Sequence, residues 1–260
     1  MRHYKKGHGY YMETTLQEMF DEMLTHVKEF RKKTYNEVFE AGYSKYRADL
    51  VELEGLLACE EEPEKAMLIE RLAQVLPSYA YEKIQEKSKK EKERMGVDFN
   101  INMVVYIVPF INYSKNEDCI KLAHRIVELW NEKKINSLTL SYSTYEEIAG
   151  GFRKKLCYIT TAVCEHMNKS DDCYELTLMR EFRDNYMMQT EKGRSTVEDY
   201  YDIAPGLVLI MNMQNNASDI YRELYLNYLL PCVQLIEEDK KTACQALYMQ
   251  MVQKLKQQYI

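Results

Sequence analysis

Apolar residues recur every third or fourth position through Leu16, Met19, Phe20, Met23, Leu24, Val27 and Phe30, the period of a helix with one buried face. Thr15 and Glu18, spaced as a capping box, predict where that helix begins. A second stripe, Tyr46, Leu50, Leu53 and Leu57, follows Gly42. A third helix is expected from Pro63, since proline suits a first helical turn, to Pro77. Between Tyr79 and Met95 the apolar positions thin to Tyr79, Tyr81, Ile84 and Met95 among lysines and glutamates. Such a pattern predicts a solvated connector helix held by i,i+4 ion pairs. Gly96 is therefore expected to separate an N-terminal helical region, residues 1–95 with its connector at 79–95, from a C-terminal helical domain, residues 96–260.

Residues 100–113 read both ways: their β-branched residues suit a strand, while Met103, Ile107 and Phe110 suit a buried helix, and the helix is preferred. Ile120, Ala123, Ile126, Val127 and Trp130 predict a helix over 119–133, followed by extended or loop structure at 137–145 and a break at Gly150-Gly151. Capping pairs Asp172/Glu175 and Ser195/Glu198 predict two further helices, the second ending before Pro205. Leu207–Met213, a helix after Ser218 kinked at Pro231, and a last helix from Thr242 complete an all-α pattern.

Composition agrees. The 260 residues are 46% apolar and 29% charged, enough to build a core, and only nine glycines and five prolines argue against the many tight turns of a sandwich or barrel. A net charge of −6 with both signs interleaved supplies no cationic face for nucleic acid. The basic start (Arg2, Lys5, Lys6) runs into polar sequence without the apolar stretch of a secretory signal. The apolar run Met103–Ile111 contains Pro109 and is about half of the ~20 residues a spanning helix needs, so no membrane association is expected. Seven cysteines, an odd number in a chain expected to be cytoplasmic, are expected to be free thiols.

Nucleotide-binding glycine loops, Gly-x-Ser-x-Gly, His-Glu-x-x-His and Cys-x-x-Cys are all missing from the sequence. One ordered set of residues stands out: Cys157-Tyr158-Ile159-Thr160-Thr161-Ala162, then Leu178-Met179-Arg180-Glu181-Phe182-Arg183-Asp184, then Gly193, Val197, Tyr200-Tyr201 and Pro205. This segment, 157–205, resembles the CFI-box-CTERM domain family, bacterial proteins known chiefly by a Cys-Phe-Ile box, a Leu-Arg-x-Phe-Arg-Asp helix and a Tyr-Tyr followed by proline. The resemblance implies no particular reaction or ligand. The chain departs from the pattern at Tyr158 and at Cys164-Glu165-His166, and it lacks the hydrophobic tail of some members.

Arg153, Lys154 and Lys155 precede Cys157, and cations held near a thiol lower its pKa. If the following helix folds back on the box, Arg180, Arg183 and Asp184 can meet Cys157, with His166 as a base and an arginine as an anion binder. In the plainer reading, Arg183 and Asp184 form a structural pair with Cys157 packed behind. Cys157, Cys164, His166 and Cys173 have suitable ligand chemistry for zinc but lack the close pairing of structural zinc sites, so neither metal nor cofactor is expected. Tyr200 and Tyr201 are candidate binding residues, as tyrosine is enriched at interfaces.

The expected function is a protein-interaction or sensing module with a protein partner, a homo-oligomer being compatible with the same surface. The alternative is a thiol-dependent hydrolase or transferase using Cys157. An enzyme requires Cys157 at a pocket floor beside a basic or imidazole group. A binding module requires it sealed in the core beneath an apolar or tyrosine-rich surface.

Overall fold

The computed structural model describes residues 2–153 and 157–259. It is 81% helical, with no strand among the described residues, so the chain is all-α. The chain folds into two compact units, Met1–Phe30 with Thr34–Gly150, and Arg31–Lys33 with Gly151–Ile260. The boundary therefore falls at Gly150/Gly151 rather than at residue 96, because the helix that follows the charged tract belongs to the first unit's core.

In the first unit, α1 (Arg2–Thr25) and α2 (Tyr35–Ala58) both begin upstream of their expected starts. Thr15 is interior to α1, its hydroxyl donating to the Tyr11 carbonyl at 3.0 Å in place of capping, and Gly42 is interior to α2. The stripe along Leu16, Met19, Phe20 and Met23 is buried as the period predicts. α3 (Glu64–Ala73) follows Pro63 and stops before Pro77, which sits in the first turn of α4 (Val75–Gln85), where a missing N–H costs little. The charged tract is not one connector helix. Ser88 divides it as the N-cap of α5 (Lys89–Asn102), in a reciprocal capping box with Glu91, so that its second half belongs to α5.

α5 continues through a π-turn (Met103–Ile107) into α6 (Val108–Asn112), so residues 100–113 are helical. The run Lys89–Asn112 is long and apolar enough to cross a membrane, which the shorter run read from the sequence was not, but 83% of its apolar window is buried inside the protein. Its asparagines are tied to neighbours: Asn102 donates to the Phe20 carbonyl at 2.8 Å, and Asn100 accepts from Trp130 at 3.0 Å and Asn136 at 2.8 Å. Asn136 also donates to the Gly96 carbonyl at 2.9 Å. Gly96 is needed there for space, as a Cβ would lie 2.7 Å from that of Asn136. α7 (Glu117–Lys133) is capped by Asn116 and buries Leu122, Ala123, Ile126 and Trp130. Residues 137–144 are loop, as expected, before α8 (Tyr145–Arg153), whose helix runs through Gly150-Gly151 without a break.

The second unit contains α9 (Tyr158–His166), α10 (Tyr174–Asn185), α11 (Glu191–Met213), α12 (Ala217–Leu224), α13 (Leu230–Glu237) and α14 (Lys241–Tyr259). Two expected caps are displaced: Cys173 rather than Asp172 precedes α10, and Thr190 rather than Ser195 caps α11, accepting from Gly193 N–H at 3.0 Å. Pro205 lies inside α11 instead of ending it, flanked by Ala204 and Gly206, both buried. Burial on both sides offsets the lost backbone bond. A π-turn (Tyr225–Leu229) leads into Pro231 as another leads into Pro109. α9, buried along nearly its whole length, packs against α10, α11 and α12.

Candidate functional site

Cys157 caps the N-terminus of α9, its carbonyl accepting from Thr161 N–H at 2.7 Å. Beneath it, α11 presents Tyr200 and Tyr201, consecutive residues whose rings are 5.3 Å apart. The Tyr200 hydroxyl accepts the Ile159 N–H at 2.9 Å, occupying one of the donors that a helix start leaves open. From α10, Arg183 donates through Nη1 to the Tyr201 hydroxyl at 2.7 Å, and the same nitrogen lies 3.6 Å from Cys157 Sγ. Its Nε and Nη2 grip the two Asp184 oxygens at 2.7 Å each. Residues distributed over three helices, at 157, 183–184 and 200–201, thus meet at one point.

The cluster borders a cavity of about 410 Å³. Met179, Phe182, Met187, Val197, Ile203 and Val252 supply apolar lining, and Asp199, Asp202, Gln253 and Lys256 add polar groups. Tyr248 of α14 also lines it, its ring 5.7 Å from that of Tyr200 and its hydroxyl 3.4 Å from Thr160 Oγ1. The α14 residues were absent from the sequence-based candidates. Their helical spacing was visible, but nothing local says that a helix some ninety residues downstream of Cys157 turns one edge toward it.

No family model matches this chain, and no curated protein or solved structure is significantly similar to it.

Burial pushes the Cys157 thiol up, and the nearby Arg183 and Arg180 guanidiniums and the Tyr201 hydroxyl only partly counter it. The resting group is therefore a thiol, against the expectation of a cation-lowered thiolate. Of the three cations expected to lower it, Lys154 and Lys155 lie outside the described residues, as does the side chain of Arg153. The cation beside the sulfur is Arg183, 26 residues along the chain. Burial likewise pushes Tyr201 and Tyr200 up, so both remain protonated phenols at neutral pH.

Two expected participants are held elsewhere. His166 closes the far end of α9, nine residues and roughly 13 Å from Cys157 at 1.5 Å per residue. Its Nδ1–H donates to the Ala162 carbonyl at 3.0 Å and its ring stacks on Tyr221 at 3.9 Å, so it does not serve Cys157 as a base. Arg180 grips Asp171, bonding its carbonyl at 2.8 Å and its carboxylate at 2.7 Å, and acts as a loop clamp rather than an anion binder.

The four residues with zinc-ligand chemistry do not converge, and no group of three metal-binding side chains forms among the described residues. Burial pushes the Cys164 thiol up to about 12, and the neighbouring Cys173 thiol adds to the shift.

Proposed function

We propose that this protein is a sensing module that binds a small molecule with an apolar body and one hydrogen-bonding head group in the cavity of its second unit. The supporting observation is the cavity itself: a partly open cleft with an apolar wall, bordered on one side by the Cys157–Arg183–Tyr201 cluster and also lined by the charged side chains of Arg31, Asp199, Asp202 and Lys256, a concave site that combines apolar surface with convergent polar groups as small-ligand sites do. A protonated thiol, a guanidinium and a phenol are hydrogen-bond donors, suited to a carbonyl or carboxylate head. The expected protein partner is then the recipient of the binding signal, and a cytoplasmic setting suits the free thiols.

Titration with 1-anilinonaphthalene-8-sulfonate, an aromatic body with an anionic head, tests this. Saturable binding by the wild type that is lost in Met249→Trp, which fills the cavity from a half-buried position, is the expected result. Equal binding by both proteins, or none by either, overturns the reading.

The thiol-dependent enzyme is the second reading, favoured by Arg183 at 3.6 Å from the sulfur of a residue at a helix N-terminus. Against it stand the raised thiol and an imidazole committed to Tyr221.

A further inference from the structure

We propose that Arg31-Lys32-Lys33 is a releasable clasp on the rim of the cavity and governs access to Cys157. That this access admits a ligand rests on the function proposed above; the clasp itself rests on contacts within the second unit. Residues 31–33 belong to that unit and form a turn ahead of α2. Three contacts from the turn converge on Asp202 of α11. Arg31 Nη1 reaches its carboxylate at 3.5 Å, Lys33 N–H donates to the carboxylate at 3.3 Å, and Lys32 N–H donates to its carbonyl at 3.3 Å.

The anchor adjoins the polar cluster of the cavity. Lys32 Nζ lies over the ring of Tyr201, 5.4 Å from its centroid, while the hydroxyl of the same tyrosine accepts from Arg183, the guanidinium beside Cys157 Sγ. Arg31, Tyr201 and Asp202 line the cavity together with Cys157. A movement of the turn therefore changes both the rim of the cavity and one face of the phenol that positions Arg183.

The contacts are of the kind that opens. The Asp202 side chain is held on a helix and is 14% exposed, whereas that of Arg31 is 46% exposed, so water and salt weaken the ion pair. The two backbone bonds, at 3.3 Å, are longer than ordinary N–H···O bonds. All three residues of the turn are exposed, so release breaks polar contacts and uncovers little apolar surface.

The experiment measures iodoacetamide labelling of Cys157 in folded wild type, Arg31→Ala, Asp202→Ala and the double variant. Cys157 and Cys164 share tryptic peptide 156–169, so fragmentation in the mass spectrometer assigns the label. Exposed Cys59 calibrates the reagent, and Cys232 and Cys244, fully buried in the same unit, report any general loosening. Arg31→Ala should speed Cys157 labelling by about two- to fivefold, the contribution of an exposed ion pair. Asp202→Ala should speed it further, since it also frees the Lys33 N–H, and the double variant should match Asp202→Ala alone. Loss of the Arg31 charge acting on the thiol alone would slow labelling, because a nearby cation favours the thiolate, so acceleration reports opening. An unchanged or slower rate in Arg31→Ala, additive effects in the double variant, or labelling of Cys232 and Cys244 in step with Cys157 overturns the clasp. Labelling needs no bound ligand, so failure of the clasp and failure of the ligand reading are separate results.

Discussion

The Ser143 hydroxyl donates to the Val104 carbonyl at 2.6 Å, and Pro109 explains why it is needed. In the π-turn Val108 N–H bonds the Met103 carbonyl, so the next carbonyl in that register, Val104, faces Pro109, which has no N–H to give. Tyr35 similarly donates to the Val105 carbonyl at 3.0 Å. At the second π-turn the corresponding residue, Leu226, is 51% exposed and water can take the same role.

Ser143 is buried, and Asn112 fixes its backbone by donating to its carbonyl at 2.8 Å. Ser143→Ala should therefore leave a buried carbonyl short of a donor and cost about 1–3 kcal/mol. Urea unfolding followed by circular dichroism checks this. An unchanged midpoint would mean that the serine bond is dispensable.

Gly193→Ala should be far more damaging than Gly150→Ala. A Cβ at Gly193 would lie 1.9 Å from the Met187 carbonyl oxygen, whereas one at Gly150 meets nothing within 4 Å. The first should cost at least about 2 kcal/mol through backbone displacement. The second, in the interior of α8, should add up to about 1 kcal/mol. Thermal melts of the two variants separate the outcomes.

Burial pushes the Glu175 carboxyl up, but hydrogen bonds from Lys169, its own backbone and Tyr225 outweigh that and hold it at about 2. A carboxylate lowered by folding contributes stability that is complete above its unfolded value, near 4.5, and is lost as pH falls toward 2. The contribution is on the order of 2 kcal/mol after allowance for the part-exposed Lys169. Glu175→Gln should be less stable than wild type at neutral pH and show a flatter stability profile between those limits. Parallel profiles would refute the linkage.

Iodoacetamide should modify Cys157 more slowly than exposed Cys59 at neutral pH, with a labelling midpoint above that of an ordinary thiol. Removing the Arg183 charge, as in Arg183→Met, should move the midpoint higher still, while His166→Ala should leave it unchanged. A wild-type midpoint well below the ordinary range would instead favour the thiol enzyme.

The helical stripes were largely legible because burial of one face imposes a period on the sequence: Leu16, Met19, Phe20 and Met23, and Ala123, Ile126, Val127 and Trp130, are buried as that period requires, while Leu24 and Ile120 are half-buried and α1 ends at Thr25, short of Val27 and Phe30. Boundaries were less legible. Thr15, Ser195 and Pro205 carry local stop or start signals, yet all lie inside helices whose packing on other elements extends past them. Gly96 looked like a domain boundary, and its actual constraint is Asn136, forty residues away. At the site, the sequence singled out Cys157, Arg183, Asp184, Tyr200 and Tyr201, and these do converge. It also included His166 and Arg180, since sequence nearness to Cys157 and charge were visible but the competing partners Tyr221 and Asp171 were not.

The chain has one tryptophan, Trp130, 1% exposed in the first unit with its ring centroid 6.2 Å from that of Phe20. Its emission is consequently an intrinsic optical reporter of that unit's core. The second unit, which has tyrosines but no indole, is spectrally dark under excitation at the red edge, and a single tryptophan placed there by mutation would give it a signal of its own.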